Sequence, residues 1–306
     1  MPQESTAQRP LAVLGSDEPS ALERVAIDLL CREVRERWGG TVLVLEPCAA
    51  PPGAGDILLL GTPGSNSALE AQVRSLPSPL ALPVDDPTHE GFTLHSCSEG
   101  ERRVLLALGA SPQALIWAVC EVLDAFGERG CTTLPRLQRS TAPRFTIRAF
   151  QSHAVRLSTG DVAAKVADYK ADVDYALRRR MNTVTLGSDW PASLSSLVAY
   201  RHFPSLADTA NPADIDRRTA QIGELVDYVV GRGMTLYLTL TELYYPPELA
   251  QRHPEVLAVA PPHGADRWYR PPASGFTSLA RPDKLCPAHP TTRAFFMANV
   301  KEITER

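Results

Sequence analysis

The carboxyl-terminal half of the chain repeats one pattern three times: a short apolar strand followed, sooner or later, by a long helix. The predicted strands are Thr146–Phe150, Asn182–Gly187 and Met234–Leu243, and the predicted helices are Asp161–Met181, Thr219–Gly233 and Pro290–Arg306. The third strand opens with a nearly continuous apolar and β-branched run, which is typical of a strand covered on both faces. Repeated strand–helix units with buried strands predict a parallel sheet with helical crossovers.

Residues 1–135 also alternate between strands and helices, but on a smaller scale. We predict five strands and three helices here, with Ser20 and Ser111 as helix N-caps and Gly39 as a helix stop. Two of the strands, Glu90–Cys97 and Arg102–Ala110, are separated by the sequence SEGE, which predicts a hairpin. We expect a small α+β layer with its helices on one face.

The segment Arg129–Thr146 is polar and contains two prolines, which is typical of a linker. We therefore divide the chain into an accessory domain, residues 1–135, and a second domain, residues 136–306, that contains the three strand–helix units. The predicted fold class is α/β: a small α+β accessory domain followed by the first part of a TIM (β/α)8 barrel. Because no fourth strand follows the third unit, we expect the barrel to be incomplete in this chain.

Two glycine-containing strand ends have some features of nucleotide-binding loops. The sequence GTPGSNS, Gly61–Ser67, lacks the lysine of a P-loop, and LGSDEPS, Leu14–Ser20, lacks the G-x-G-x-x-G spacing. We interpret both as structural turns, because glycine often ends strands.

Composition argues against several other classes of function. The chain has 44% hydrophobic and 22% charged residues, as a globular protein does. Its net charge is −4 and it has no long basic run, which argues against a dedicated nucleic-acid binder. Its apolar runs are much shorter than the ~20 residues of a membrane helix. The amino terminus has no export signal, which makes a cytoplasmic location the default expectation. The six cysteines include no CxxC pair, and we expect neither a metal site nor a cofactor.

The order of these segments resembles that of glycoside hydrolases with a small α/β domain before a (β/α)8 barrel, namely the family 20 hexosaminidases and the family 67 α-glucuronidases. In the accessory domain the resemblance rests on EGFTLHS and RRVLLALGASPQALIWAVCEVLDAFG. In the second domain it rests on APRFTIRAF, RRRMNTVTL, ELVDYVVGRGMTLYLTLTEL, HPEVLA and LCPAHPTTRAFFMANVKEITER. The resemblance implies a hydrolase of O-glycosidic bonds with a hexosaminidase-like or α-glucuronidase-like substrate.

The chain departs from the family 20 pattern at the first barrel strand. Members of that family usually carry an aspartate five residues after the strand's arginine, whereas here Arg148 is followed by Ala149 and His153 occupies the aspartate position. The resemblance implies that Arg148 binds sugar hydroxyls, but the missing acid leaves hexosamine specificity open. In both families the catalytic acid lies on or after the fourth strand, which places it beyond residue 306. We expect truncation after the third βα unit and assign no catalytic residue.

The ends of the predicted strands carry side chains suited to a carbohydrate. In a (β/α)8 barrel the site is built from the loops at the carboxyl ends of the strands. Aromatic rings there can pack against the C–H face of a pyranose, and charged groups can bond to its hydroxyls. The predicted substrate-binding residues are Arg148, His153, Asp189, Trp190, Glu242 and Tyr245.

Each of these residues also has a structural interpretation. Arg148 can pair with a barrel carboxylate such as Glu242, and His153 can be a hydrogen-bonded structural histidine. Asp189 can serve as a turn residue before a proline, and Tyr245 can pack at the rim. The basic run Arg178–Arg180 ends a predicted helix, where cations suit the helix dipole.

Glycoside hydrolysis normally requires two carboxyl groups, ~5–5.5 Å apart for retention or ~6.5–9.5 Å for inversion. No pair of adjacent acids follows any predicted strand, and Glu242 alone cannot supply both groups. We therefore expect this chain alone to be inactive, although the full-length protein is a glycosidase by resemblance. The alternative is a non-catalytic carbohydrate-binding or interaction protein of the same architecture. A third hypothesis is an open α/β sheet that binds another small molecule, which strand order would distinguish.

Overall fold

The computed structural model describes residues 10–46, 55–100, 102–127, 133–151, 162–186, 198–238, 245–257 and 285–305. The chain forms two compact units. The first contains the described residues up to Phe150 together with Asp174–Thr183 and Val229–Thr235, and the second contains the other described residues. The first unit therefore includes short pieces of the strand–helix repeat as well as the accessory domain.

The first unit is built on a six-stranded mixed sheet with the order β2-β1-β3-β5-β4-β6. Its strands are β1 (Leu11–Leu14), β2 (Val42–Leu45), β3 (Ile57–Gly61), β4 (Phe92–Glu99), β5 (Arg102–Gly109) and β6 (Gln138–Thr141). The first four strands in this order are parallel, and β4 runs antiparallel to both β5 and β6. The predicted hairpin of β4 and β5 is confirmed.

Strand β6 lies in the segment that the sequence analysis interpreted as a linker. Phe92 of β4 pairs with Thr141, and His95 pairs with Gln138. The linker interpretation is therefore wrong for these four residues, which form an edge of the first sheet. Local composition did not reveal them, because an exposed polar edge strand shows no apolar alternation.

Three helices cover the sheet: α1 (Ala21–Trp38), α2 (Ser67–Ser75) and α3 (Pro112–Gly127). The predicted cap of α1 is confirmed, because the Ser20 side chain accepts a hydrogen bond from the Glu23 amide. Gly39 ends the helix at φ 63°, in the left-handed region that favours glycine.

The helices lie on both faces of the sheet, so the prediction of a single helical face is wrong. A Cβ added to Gly15 would contact Ile27 of α1, and one added to Gly109 would contact Leu115 of α3. A Cβ added to Gly61 would contact Leu69 of α2. Because β-strand side chains alternate between faces, these contacts place α2 opposite α1 and α3. Helix α3 is buried along almost its whole length, between the sheet and its neighbours.

A second, three-stranded sheet follows, with the order β7-β8-β9. Its strands are β7 (Ala149–Gln151), β8 (Thr183–Leu186) and β9 (Thr235–Leu238), connected by α4 (Val162–Arg178) and α5 (Pro212–Val230). The predicted small parallel sheet is confirmed, and its strands lie side by side in chain order. Helix α5 begins seven residues before the predicted Thr219, with Pro212 at its first position, where proline is favoured. Closure into a barrel stays a prediction.

The second unit has a hydrophobic cluster centred on α7 (Pro290–Thr304). The short helix α6 (Pro247–Arg252) and two 3₁₀ turns, Pro204–Thr209 and Pro254–Val256, contribute to it. The buried members of this α7 cluster are Val198, Tyr200, Leu206, Leu249, Val256, Leu285 and Phe295. Among the described residues, no helix combines the length and the apolar character needed to cross a membrane.

Candidate functional site

The predicted sugar-binding residues are only partly within the described chain. His153, Asp189, Trp190 and Glu242 lie outside the described residues. Arg148 and Tyr245 are described, one in each compact unit. The six-residue sugar site therefore stays a prediction. For Arg148 and Tyr245 the structure shows the protein groups that contact each side chain.

The chain order of the second sheet places the three strand ends next to one another. The segments that contain His153, Asp189 and Glu242 follow β7, β8 and β9 directly. Because neighbouring parallel strands end at the same edge of a sheet, these three segments leave the sheet from one edge. The candidate site is this carboxyl edge of β7, β8 and β9, which we call the rim.

Arg148 lies at the other end, immediately before β7, and its guanidinium is held by protein groups. Its Nε donates to the carbonyl of Arg180 over 2.7 Å, and Nη1 donates to the carbonyl of Phe145 over 2.8 Å. Its Nη2 forms an ion pair with Glu90, and the guanidinium lies 5.6 Å from the ring centre of Trp117. The side chain is 15% exposed. The carboxylate partner is thus Glu90, from the accessory domain, and not Glu242, which the sequence analysis suggested.

Glu90 is the centre of a wider set of contacts. Trp117 Nε1 donates to its Oε2 over 2.9 Å, and Asn182 Nδ2 donates to its Oε1 over 3.0 Å. Asn182 in turn accepts a hydrogen bond from the Arg148 amide over 2.9 Å. One carboxylate therefore joins α3 to the residues that precede β7 and β8. We call Glu90, Trp117, Arg148 and Asn182 the Glu90 cluster.

Sequence reasoning missed Glu90, Trp117 and Asn182. All three lie in segments that carry the family resemblance, but Glu90 precedes Arg148 by 58 positions, so no local pattern connects the two. The sequence did offer one indication. Trp117 stands in the apolar helix α3, where burial is expected, and a buried indole N–H usually has a hydrogen-bond acceptor.

The basic residues at the end of α4 make structural contacts. Their partners are acidic side chains of α3, in addition to the helix dipole that the sequence suggested. Arg180 pairs with Glu121 and Asp124 of α3, both over 2.7 Å, and Arg178 pairs with Asp124 over 2.8 Å. On the same helix, Asp174 accepts from Arg32 of α1 and from Arg232, which precedes β9, both over 2.9 Å.

These contacts share one location, the amino ends of the strands of the second sheet. Arg148 precedes β7, Asn182 precedes β8 and Arg232 precedes β9. In (β/α)8 barrels the amino-terminal end serves stability and the carboxyl-terminal end carries chemistry. The division seen here fits that rule, with the predicted sugar ligands other than Arg148 following the strands.

Tyr245 packs at the border of the α7 cluster, where it is half-buried. The chain segment that contains Asp189 re-enters the described structure at Val198, and the one that contains Glu242 re-enters at Tyr245. Both residues belong to or pack against this cluster. The two segments therefore end on the same hydrophobic support.

A buried carboxylate fixes the chain just after Val198. Glu302 of α7, 1% exposed, accepts hydrogen bonds from the amides of Ala199 over 2.7 Å and Arg201 over 2.9 Å. Tyr200 lies between them in the left-handed region, at φ 56°. Burial raises the pKa of Tyr200 to about 12, and Glu248 and Glu302 add to the rise. This hydroxyl stays protonated at neutral pH and is unsuited to act as a base.

Metal binding has no support in the part of the chain that the structure describes. There, no group of three or more histidine, cysteine, aspartate or glutamate side chains is arranged to hold a metal ion. Burial also raises the pKa of Cys120 to about 12, which makes this thiol a poor nucleophile.

No sequence-family model and no curated protein matches the chain. Solved structures of glycoside hydrolases resemble its fold. A β-N-acetylhexosaminidase from Bacteroides fragilis aligns with a TM-score of 0.51 and 16% identity, over 97% of this chain and 50% of that one. The GH20 exo-β-N-acetylglucosaminidase from Vibrio harveyi in complex with N-acetylglucosamine aligns with a TM-score of 0.53 and 16% identity, over 97% and 42%.

A GH138 enzyme that targets pectin rhamnogalacturonan II aligns with a TM-score of 0.53 and 13% identity, over 80% of this chain and 26% of that one. The chain thus resembles part of the GH20 enzymes in fold, and it spans half or less of the length of each of these structures. At such identities the likeness concerns the fold alone.

Proposed function

We propose that this chain is the accessory domain and the first barrel units of a carbohydrate-active protein of the glycoside hydrolase kind, with a sugar site at the rim. The observation that carries the proposal is the second sheet, whose parallel strands β7, β8 and β9 lie side by side in chain order. In the sequence this sheet follows a domain with a six-stranded sheet. The likeness to GH20 structures over 97% of the chain supports it.

Each proposed rim residue has a role that its chemistry suits. Trp190 and Tyr245 would pack against the C–H face of a pyranose ring, which needs a planar apolar partner. Asp189 and Glu242 would accept hydrogen bonds from sugar hydroxyls, and His153 would donate or accept one. The polar and aromatic chemistry of these groups, which follow three neighbouring strands in the sequence, is what favours a sugar over a less polar ligand.

Arg148 contributes least to the proposed sugar binding, because protein groups already occupy most of its guanidinium. Three of its five guanidinium N–H groups are directed at Glu90, Arg180 and Phe145. A sugar hydroxyl would therefore meet at most the other two. We expect its substitution to reduce stability more than sugar affinity.

In its finer form, the proposal is that the substrate resembles that of a hexosaminidase or an α-glucuronidase. We also propose that this chain binds the sugar without hydrolysing it. Hydrolysis needs two positioned carboxyl groups, and the rim segments offer Asp189 and Glu242 on separate strand ends. A non-catalytic carbohydrate-binding protein of the same architecture is the alternative. Both forms predict sugar binding at the rim.

The test is calorimetric titration of the chain with N-acetylglucosamine, glucose and glucuronate. We expect Trp190→Ala and Glu242→Gln each to weaken binding of the best sugar by about tenfold or more, because stacking and charge-assisted hydrogen bonds each contribute over 1 kcal/mol. Glu255→Gln, an exposed acid in the Pro254–Val256 turn, is the matched control and should bind like the parent. Unchanged binding in both rim variants would contradict the proposal.

Aryl glycosides with N-acetylglucosamine, glucose or glucuronate as the sugar provide the second measurement. We expect no release of the aryl group above the rate of a heat-denatured sample. Turnover that disappears in Glu242→Gln would instead make this chain an active hydrolase, and the expectation of binding without turnover would be wrong.

A further inference from the structure

A second concave surface lies on the accessory domain, beside the turn end of the β4–β5 hairpin. Its volume is about 500 Å³, which is within the range of small-ligand pockets. Polar side chains dominate its lining: Ser96, Ser98, Arg103, Arg136 and Gln138. We call this surface the hairpin groove. The proposed function does not use it.

One wall of the hairpin groove is fixed by hydrogen bonds to the sheet. The Ser96 amide donates to the Leu137 carbonyl, and the Leu137 amide donates to Ser96 Oγ, both over 2.8 Å. Arg103 Nη1 donates to the Leu134 carbonyl over 2.8 Å. Residues 134–138 are thereby held against β4, so the groove is formed before any ligand arrives.

The acid beside this wall is occupied by the backbone. Asp56 accepts hydrogen bonds from the amides of Arg103 over 3.1 Å and Leu134 over 2.7 Å. Both of its oxygens are therefore engaged in holding the wall. Its charge lowers the positive potential of the groove, but it makes no ion pair with either groove arginine in the described structure.

Apart from Arg103 Nη1, which bonds to the Leu134 carbonyl, the groove presents side-chain donors that no described protein group uses. Among the described residues, no acidic side chain pairs with Arg103 or Arg136, and the side chains of Ser98 and Gln138 have no hydrogen-bond partner. The next arginine along the chain differs, because Arg139 pairs with Glu121. Two guanidinium groups, a hydroxyl and an amide thus line one polar cavity.

We propose that the hairpin groove binds an acidic saccharide, with the carboxylate of a hexuronate on Arg103 and Arg136 and its hydroxyls on Ser98 and Gln138. Guanidinium groups match the planar geometry of a carboxylate and form charge-assisted hydrogen bonds with it. A polar cavity of this volume holds a monosaccharide or a disaccharide. The carboxylate specificity rests on the groove itself, whereas the choice of a saccharide as its carrier rests on the proposed function.

The test is an NMR titration of the isotope-labelled chain, followed at the amides of Ser98, Arg103 and Gln138. We expect glucuronate to shift these amides saturably and glucose to leave them unchanged. Arg136→Ala should weaken glucuronate binding by about tenfold or more, and Arg136→Lys by less, because lysine keeps the charge without the bidentate geometry. Arg74→Ala, an exposed arginine of α2, is the matched control.

Three outcomes would overturn the proposal or part of it. Glucuronate affinity that is equal in the parent and Arg136→Ala would remove the groove as a binding site. Equal shifts with glucose would remove the carboxylate specificity. Inorganic sulfate that binds as tightly as glucuronate would overturn the saccharide assignment, because the sugar ring would then add nothing. Because Arg136 is exposed, we expect its substitution to preserve the fold, which thermal unfolding of each variant checks.

The failure of this proposal is distinguishable from failure of the rim. Trp190→Ala should weaken sugar binding at the rim by about tenfold or more and leave the glucuronate shifts of Ser98 and Gln138 intact. Arg136→Ala should weaken glucuronate binding at the groove. It should leave the affinity of the rim for the best neutral sugar unchanged. Each site therefore has its own variant and its own signal.

Discussion

The carboxylate of Glu90 pairs with the guanidinium of Arg148 at the amino end of β7, although 58 positions separate the two residues. Trp117 and Asn182 donate to the same carboxylate. A single acid before β4 thus connects helix α3 with the starts of two strands of the second sheet. Glu90 is therefore a structural residue, and its substitution would leave three side chains without their hydrogen-bond acceptor.

We expect Glu90→Ala to lower the free energy of unfolding by about 2–4 kcal/mol, because it leaves the Arg148 cation and two further donors without their acceptor. The expected loss lies below that of a fully buried pair, since the Arg148 side chain is 15% exposed. Urea denaturation followed by circular dichroism measures it. Asp208→Asn, in the exposed pair with Arg252, is the control and should change little. Equal losses in the two variants would contradict this account.

Two glycines near one another in the chain should respond to alanine in opposite directions. Gly233 has φ 69°, and a Cβ there would overlap Oε1 of Gln113, so we expect Gly233→Ala to destabilise by about 2 kcal/mol or more. Gly223 lies within α5 with no atom within 4 Å of an added Cβ. We expect Gly223→Ala to stabilise by about 0.5–1 kcal/mol, because alanine is the better helix former. Midpoints of thermal unfolding should move in opposite directions, and shifts of the same sign would contradict this account.

Glu302 should hold residues 199–201, which follow the segment that contains Asp189, in their folded conformation. Glu302→Ala removes the acceptor of the Ala199 and Arg201 amides, and we expect a loss of about 2–4 kcal/mol. Hydrogen exchange of these two amides should accelerate more than exchange elsewhere in the second unit. Glu305→Gln, an exposed substitution at the C-cap of α7, is the control and should leave both amides protected. Protection that survives in Glu302→Ala would exclude this anchoring role.

The stability of the turn before β4 should depend on pH through Asp86. Burial raises the pKa of Asp86, but hydrogen bonds from Thr88, Gly91 and Glu90 outweigh burial and hold the pKa below its ordinary value. Because the folded-state pKa is the lower one, the carboxylate stabilises the fold above the unfolded-state pKa of about 3.9 and this contribution is lost as pH falls through the folded-state pKa.

We therefore expect Asp86→Asn to be less stable than the parent at pH 7, and the difference to shrink as the pH falls from 5 towards 2. Urea denaturation at several pH values gives this difference directly. Asp85→Asn removes an exposed neighbouring carboxylate and should match the parent at pH 7. A difference between Asp86→Asn and the parent that stays constant over this pH range would contradict the assignment.

Local chemistry in the sequence was sufficient for most of the described elements. Ser20 and Gly39 mark the ends of α1 because capping is decided by residues within one turn. The hairpin of β4 and β5 was predictable for the same reason. The repeat of strand and helix patterns was enough to predict β7, β8 and β9 as a parallel sheet. The expected burial of the third strand on both faces is wrong, because Thr235 and Tyr237 of β9 are exposed.

The tertiary structure alone decided the features that depend on distant residues. Strand β6 is a strand because it pairs with β4, and its polar sequence carries no sign of that pairing. The face that α2 covers and the partner of Arg148 are set in the same way, by contacts between segments far apart in the chain. The sugar site at the rim rests on residue types at the strand ends and stays a prediction. The sequence could not show that Arg148, inside the predicted strand Thr146–Phe150, would precede β7 and pair with Glu90, because the bounds and packing of a strand are decided in the folded chain.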